Sequence, residues 1–378
     1  MYYYRMSPIR VALVTSVIDN RKAKGTALVA RELLSRILDA PDISYTLIHH
    51  ESSDDGIYTH HPTIQIPHLP FPFNQMWVRE LVFWLTYKGK PFDVVHYMQP
   101  RVWPSYLATK ASHVVISAHD AGVMLNLHTP SLADWVFRIT NRFLHMRMTR
   151  IIAVSEYARQ EIIRLFHIDP SRVVSIPNAL SSSFTKMKDS YPSYGLPETY
   201  ILCIGRFDPH KNIVRLLHAY RQARDAGLVE PLILVGGKHL PSYSKQVEKT
   251  IQELQLEPYV HVAPYIEDED LYGVYKNARA VIYPSTHEGF GLPLLEAMYA
   301  KVPVAASNVT SLPEVAGNAA LFFDPYDIHA MCSALVRITT DEMVRAQLIK
   351  NGEKRVMSFS WEEAAQKLLG IYRDLTAS

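Results

Sequence analysis

The sequence is short of cysteine, with two in 378 residues, so no disulfide framework organises it. Cys203 and Cys332 stand in the apolar contexts Leu202-Cys203-Ile204 and Met331-Cys332-Ser333-Ala334-Leu335. Buried free thiols in a reducing compartment are the expectation there. Long apolar runs are missing too, none reaching the roughly 18–20 residues that span a bilayer. The only apolar run near the start, Val11–Val14, is too short for a secretory leader and leads to Asp19. A cytoplasmic protein, or one peripheral on the inner face of a membrane, is therefore expected. Charge of one sign is scarce as well: 39 Lys and Arg against 37 Asp and Glu leave a formal +2, which argues against a nucleic-acid partner. What asymmetry exists is modest. The first 185 residues hold 19 basic against 14 acidic side chains and the remainder 20 against 23, which suits a basic, partner-facing surface on the first half.

What the chain does contain is alternation. Short β-branched runs trade places with longer segments of helical spacing, the pattern of parallel α/β units. Ile9–Thr15, Tyr45–His49, Val94–Tyr97, Val114–Ala118 and Ile151–Val154 read as buried strands of one series. Tyr200–Ile204, Leu232–Val235, Val260–Ala263, Ala280–Tyr283, Val302–Ala305 and Ala320–Phe322 form a second. A chain this long exceeds what one core sustains. The stretch Asn178–Pro197, with Ser181-Ser182-Ser183, Pro192, Gly195 and Pro197, has the composition of a linker. Two domains are expected, 1–185 and 186–360, with 361–378 returning to the first. Ala364, Leu368, Leu369 and Tyr372 mark that last segment as an amphipathic helix.

Four places hold residues suited to chemistry. Gly25 stands between the first strand and a helix over Thr26–Leu38, where backbone N–H groups and the helix dipole can receive an anion. The loop lacks GxGxxG, so a nicotinamide site gains no support, and a plain turn glycine explains the residue equally well. His119 directly follows the strand Val114–Ala118, at the edge where open α/β sheets bind ligands. Seventeen histidines in the chain make an incidental one an even alternative. Gly205, Arg206 and Lys211 follow Tyr200–Ile204 and precede a helix whose core face is Ile213, Leu216, Leu217 and Tyr220. A guanidinium fork and a mobile ammonium at that point suit a diphosphate, with a solvated pair at a domain edge as the other reading. The fourth is Glu288-Gly289-Phe290-Gly291-Leu292-Pro293-Leu294-Leu295-Glu296 after Ala280–Tyr283. Its glycines admit a close ligand, and Pro293 fits a first helical turn. Glu288 falls in the loop and Glu296 about one turn into the helix, so the two carboxylates address separate parts of one elongated ligand. A nucleotide-sugar, with a diol near each end, has that length.

The E-x7-E element from Glu288 to Glu296 resembles the signature of retaining glycosyltransferases of family 4, which have the GT-B fold. The resemblance spans nearly the whole chain. Gly205-Arg206 with Lys211-Asn212 resembles the family's diphosphate segment. Val154-Ser155-Glu156-Tyr157 and Pro177-Asn178 resemble the end of its N-terminal domain, and Ser360-Trp361-Glu362 resembles the start of its last helix. The fold so implied is α/β, with two Rossmann-like domains whose parallel sheets face across a cleft and a C-terminal helix crossing back. The first domain would take the acceptor and the second the donor.

By the same resemblance, Arg206 and Lys211 would neutralise the departing diphosphate. Glu296 would hold the ribose, and Glu288 with Gly289, Phe290, Gly291 and Leu292 the donor sugar. His119 would touch the sugar, Gly25 would admit phosphates near the acceptor, and Gly205, Gly236, Tyr265 and Ile266 would border the nucleotide. The reaction implied is retaining hexosyl transfer, of glucose or mannose type, from a UDP- or GDP-sugar to a hydroxyl of a glycan or lipid-linked acceptor. No metal or other cofactor is implied, and no cluster of aspartates asks for one. Many relatives carry paired glycines where this chain has Lys24-Gly25. A peripheral membrane contact through the first domain is raised by Arg138, Arg142, Arg147 and Arg150 among apolar residues of 136–150, and by Trp77, Phe83 and Trp84 near Lys88 and Lys90. An ordinary packed helix explains 136–150 as well. Rival readings are a nucleotide-sugar epimerase, a sugar phosphorylase, or a non-catalytic sugar-nucleotide binder.

Overall fold

The computed structural model describes residues 7–19, 25–51, 56–70, 76–99, 104–119, 147–187, 194–236, 240–264 and 266–377. The chain divides into two compact units, Met1–Asn178 with Trp361–Ser378, and Ala179–Ser360.

The first unit is built on seven parallel strands: β1 (Ile9–Val14), β2 (Ile43–His49), β3 (Thr63–Gln65), β4 (Phe92–Tyr97), β5 (Ala111–Ala118), β6 (Arg150–Ala153) and β7 (Val173–Ser175). Their order is β3-β2-β1-β4-β5-β6-β7. Val11, Ala12, Leu13 and Val14 are all buried because β1 lies inside the sheet, where helices cover both faces. Register is fixed there by Val11 opposite both Tyr45 and Val94. The helix Thr26–Ile37 buries Ala27, Ala30, Leu33, Leu34 and Ile37, an i, i+3, i+4, i+7 stripe.

The last helix, Trp361–Ala377, belongs to this unit for identifiable reasons. Leu368 and Tyr372 are fully buried. The Tyr372 hydroxyl lies 2.6 Å from Nδ1 of the buried His96, whose Nε2 is 2.9 Å from Ser117 Oγ. At its rim Arg373 clasps both oxygens of Asp42 at 2.7 and 2.9 Å, and Arg36 meets Glu362 at 2.7 Å. Phe83 and Trp84, expected as possible membrane contacts, are instead core residues 8% and 0% exposed. They pack edge to face with Tyr87 and Phe92 close by. The basic run at 136–146 and the side chain of Trp77 lie outside the described residues.

The second unit has six parallel strands: β8 (Tyr200–Ile204), β9 (Leu232–Val235), β10 (Val260–Val262), β11 (Ala278–Tyr283), β12 (Val304–Ser307) and β13 (Ala320–Phe323). The order β10-β9-β8-β11-β12-β13 reverses direction between β8 and β11. That topological switch point leaves a crevice at the carboxyl ends of the two strands. Against the sheet packs the helix Ile213–Asp225, with Ile213, Leu216, Leu217, Tyr220 and Ala223 buried.

The second unit starts at Ala179, seven residues before the expected boundary. Phe184 is the reason. It is 2% exposed, ringed edge-on by Tyr272, Tyr275 and Tyr299 at 5.8, 5.7 and 6.1 Å, so the short helix Ser182–Thr185 is fastened into this unit.

Candidate active site

Three loops leaving adjacent strand ends converge at the switch point: 205–212 after β8, 284–291 after β11, and 308–312 after β12. Asn212 ties them. It takes the left-handed conformation (φ 60°) ahead of the helix Ile213–Asp225, and its Nδ2 donates to the carbonyls of Pro284 at 3.1 Å and Pro325 at 2.7 Å. The backbone N–H of Thr286 donates to His210 O at 2.7 Å, which seals the first loop to the second. Ser311, fully buried, donates from its hydroxyl to the carbonyls of Glu288 at 2.9 Å and Phe290 at 3.0 Å. The glycine-rich turn is thereby held from beneath.

On this frame Lys211 and Glu288 meet. Lys211 Nζ donates to Glu288 Oε1 at 2.5 Å and to Tyr283 OH at 2.8 Å, and the Tyr283 hydroxyl lies 2.9 Å from the same carboxylate oxygen. The side chains of Lys211 and Glu288 are only 15% and 14% exposed. Burial opposes the charge on each, but the opposite charge beside it outweighs burial. The Glu288 carboxyl is held below the ordinary range, and the Lys211 ammonium above its own. Both stay ionised. His210, beside them, is pushed down to about 4 by burial and then by the Lys211 charge, so it is neutral near pH 7.

The other residues expected to bind the donor lie in the same unit. Arg206 stands out from the strand end, 60% exposed, with Nε 3.4 Å from the buried carboxylate of Asp208. Gly205 has φ 148° and its α-carbon faces the Lys211 side chain; a Cβ there would sit 3.2 Å from Lys211 Cε. Gly236 ends β9 with φ 153°, and a Cβ on it would lie 1.9 Å from Gly205 O. Two strand-end backbones thus pass within contact, which only glycine permits. Gly291 (φ 100°) precedes the helix Leu292–Tyr299, with Pro293 in its first turn. Phe290 turns its ring inward against Phe359 at 5.6 Å, so only its backbone borders the crevice. Glu296 sits on that helix and accepts a 2.6 Å hydrogen bond at Oε2 from the buried Tyr275 hydroxyl. Ile266 is buried, and Tyr265 lies outside the described residues.

Gly25 and His119 belong to the first unit. Gly25 opens the helix Thr26–Ile37 with φ 63° and open space where a Cβ would stand. His119 directly follows β5, near enough to His96 to help burial depress that imidazole to about 3. The sequence alone does not single out Tyr283, Tyr275, His210 or Ser311. Each reads there as a strand end, a helix residue or a loop polar group, and only the pairing partner reveals it. Among the described residues no group of three or more His, Cys, Asp or Glu is placed to hold a metal ion. Cys203 is buried and Cys332 partly so, both as free thiols.

A family model described as Glycosyl transferases group 1 matches residues 190–355, and one described as Glycosyltransferase Family 4 matches residues 24–184. The O-antigen chain mannosyltransferase B of Escherichia coli is 36% identical over 280 residues, covering 71% of this chain and 72% of that protein. The serotype-specific mannosyltransferase WbdA of Escherichia coli is 32% identical over 285 residues, which is 70% of this chain but 34% of that longer protein. Among solved structures, sucrose-phosphate synthase from Thermosynechococcus elongatus has a TM-score of 0.74 at 23% identity, covering 98% of this chain and 99% of that one. HepE from Anabaena, solved in complex with UDP and glucose, has a TM-score of 0.74 at 16% identity, covering 97% of this chain and all of that one. The two structures establish the GT-B fold, and the sequence matches establish the kinship: this chain is a glycosyltransferase and belongs to glycosyltransferase family 4.

Proposed function

We propose that this chain is a retaining mannosyltransferase that moves a mannosyl group from GDP-mannose to a hydroxyl of a growing glycan or lipid-linked acceptor, as in polysaccharide assembly. The observation that carries the reading is the Lys211–Glu288 pair at the switch point, with the exposed Arg206 on the same loop as Lys211. The mannosyl choice is supported by relatives named as mannosyltransferases, including RfbU of Salmonella typhimurium at 29% identity.

In this reading the donor diphosphate draws Lys211 away from Glu288 and shares it with the fork of Arg206. Glu288, released, accepts from hydroxyls of the donor sugar, which the N–H groups of Gly289, Phe290, Gly291 and Leu292 also border. Glu296 receives the ribose diol. The backbone at Gly236, Tyr265 and Ile266 meets the base. By the family resemblance alone, His119 is assigned to the sugar and Gly25 to phosphate on the acceptor side. As the anomeric C–O bond to phosphate breaks, charge accumulates on the leaving diphosphate, where two fixed cations stabilise it. The acceptor oxygen bonds to the anomeric carbon on the same face and passes its proton to the departing phosphate oxygen, so the configuration is retained. No metal takes part. A lipid-linked acceptor would bring the first unit to a membrane face, and the exposed Leu85 and Leu107 with exposed Lys88, Lys90 and Lys110 suit that contact.

The test is a donor panel: GDP-mannose, UDP-glucose, UDP-galactose and UDP-N-acetylglucosamine, each offered with an oligomannoside, with nucleotide release and product NMR as readouts. GDP-mannose turnover to an α-linked product is expected. A β-linked product overturns retention, preference for a UDP-hexose overturns the mannosyl assignment, and no turnover with any donor overturns the function.

A further inference from the structure

Glu296, the carboxylate assigned to the ribose, is held by a residue with no evident place in the chemistry. Tyr275 lies on the short helix Leu271–Lys276, fully buried, and donates its hydroxyl to Glu296 Oε2 at 2.6 Å. Burial, and then the nearby Glu296 charge, push its phenol well above the ordinary value, so it remains a donor at any working pH. Its ring meets Phe184 edge-on at 5.7 Å, and Phe184 also abuts Tyr272 and Tyr299. The Tyr299 hydroxyl in turn donates to the Thr185 carbonyl at 3.3 Å. The clamp therefore includes the first residues of the second unit, Ala179–Thr185, which lead in from the first.

A long, polar glutamate side chain that must meet a ribose diol loses rotamer freedom on binding. A charge-assisted hydrogen bond from a donor that cannot itself move removes that loss beforehand. We propose that Tyr275 is a positioning residue for the donor: it presets Glu296 for the nucleotide ribose, and the aromatic clamp around Phe184 links that setting to the segment joining the two units. The inference rests on the assignment of Glu296 to the ribose.

Tyr275→Phe removes one oxygen and keeps the ring in its clamp. By calorimetry with the full chain, GDP and UDP are each titrated beside their 2′,3′-dideoxy counterparts, and steady-state transfer is measured with GDP-mannose. Tyr275→Phe should weaken binding of the better ribonucleotide 5- to 20-fold and raise the donor KM alike, with kcat within twofold. Binding of the dideoxy nucleotide should be unchanged within twofold. Added to Glu296→Ala, which alone weakens ribonucleotide binding, it should have no further effect. Phe184→Leu, with the hydroxyl intact, should raise the donor KM in the same direction by a smaller factor. If Glu296→Ala weakens binding and Tyr275→Phe does not, the positioning inference fails and the ribose assignment stands. The positioning inference fails equally if Tyr275→Phe weakens ribo- and dideoxynucleotide alike, since a merely structural phenol would do that. If Glu296→Ala leaves binding unchanged, or neither nucleotide binds, the ribose assignment falls and takes the inference with it.

Discussion

Replacing Lys211 by methionine keeps most of the side-chain length and removes the charge beside Glu288. The two groups are 15% and 14% exposed and 2.5 Å apart, so the carboxylate left behind is poorly hydrated and retains only the Tyr283 hydroxyl among the contacts described above. Removing one partner of a buried pair costs about 3–5 kcal/mol, and the residual exposure places Lys211→Met near the lower end, about 3 kcal/mol. Adding Glu288→Gln takes away the stranded charge, so the double variant should lose only about 1 kcal/mol. The pair therefore couples by roughly 2 kcal/mol or more. The assay is urea denaturation followed by far-UV circular dichroism, with tryptophan fluorescence alongside. All five tryptophans lie in the first unit, so fluorescence isolates that unit and the difference reports the second. Sign follows from the shift: the Glu288 carboxyl is held below its ordinary 4.5, so the pair's contribution is complete above that value and disappears as pH falls through the lower folded one. In Lys211→Met that acid loss should vanish. Single-variant losses that add within about 0.5 kcal/mol would refute the reasoning.

Two other outcomes follow from the geometry. Gly236→Ala places a methyl 1.9 Å from Gly205 O at φ 153°; forced separation of β8 and β9 should cost about 2–4 kcal/mol, read as a lowered urea midpoint of the second unit, and an unchanged midpoint would contradict the close approach. His96, pushed down to about 3 mainly by burial, takes up a proton only on unfolding between that value and its ordinary 6.5. Stability should thus fall with pH below 6.5, by about 2 kcal/mol from there to pH 5. Tryptophan-monitored urea curves should show that loss in the wild type and its absence in His96→Gln; equal slopes would contradict the buried neutral imidazole.

All eleven expected strands have a counterpart, most of them buried on both faces as in Val11–Val14 and Val281–Tyr283, where apolar runs report position directly. β10 formed with His261 and Val262 exposed, and β12 begins two residues later than expected. The two that sequence periodicity does not reveal, β3 and β7, have three residues each. β3 is an edge strand with both Thr63 and Gln65 exposed, and no periodicity develops over that length. The charged residues were legible because Lys211 and Glu288, in loops after strand ends, and Glu296, one turn into the helix after the glycine-rich turn, have no packing use there. Their partners were not. Tyr283 is the last apolar residue of β11 and Tyr275 an inward helix residue, and both become polar partners only once tertiary structure brings a carboxylate to the hydroxyl. The pairing of Lys211 with Glu288 was likewise invisible, since 77 residues separate them. The start of the second unit at Ala179 depends on the ring contacts of Phe184, which composition cannot show.

Everything proposed for the donor side depends on the crevice between β8 and β11 binding a nucleoside diphosphate through Arg206 and Lys211. Calorimetric titration of GDP into the full chain, into Arg206→Ala and into Arg206→Ala/Asp208→Asn is the decisive measurement, the double variant removing the buried carboxylate that Arg206 faces at 3.4 Å. Both variants should stay folded in urea titrations at the assay temperature, and each should bind GDP about 10- to 100-fold more weakly than the wild type, the loss of one bidentate, charge-assisted contact. Equal affinity in the three proteins would contradict a diphosphate site built on these cations.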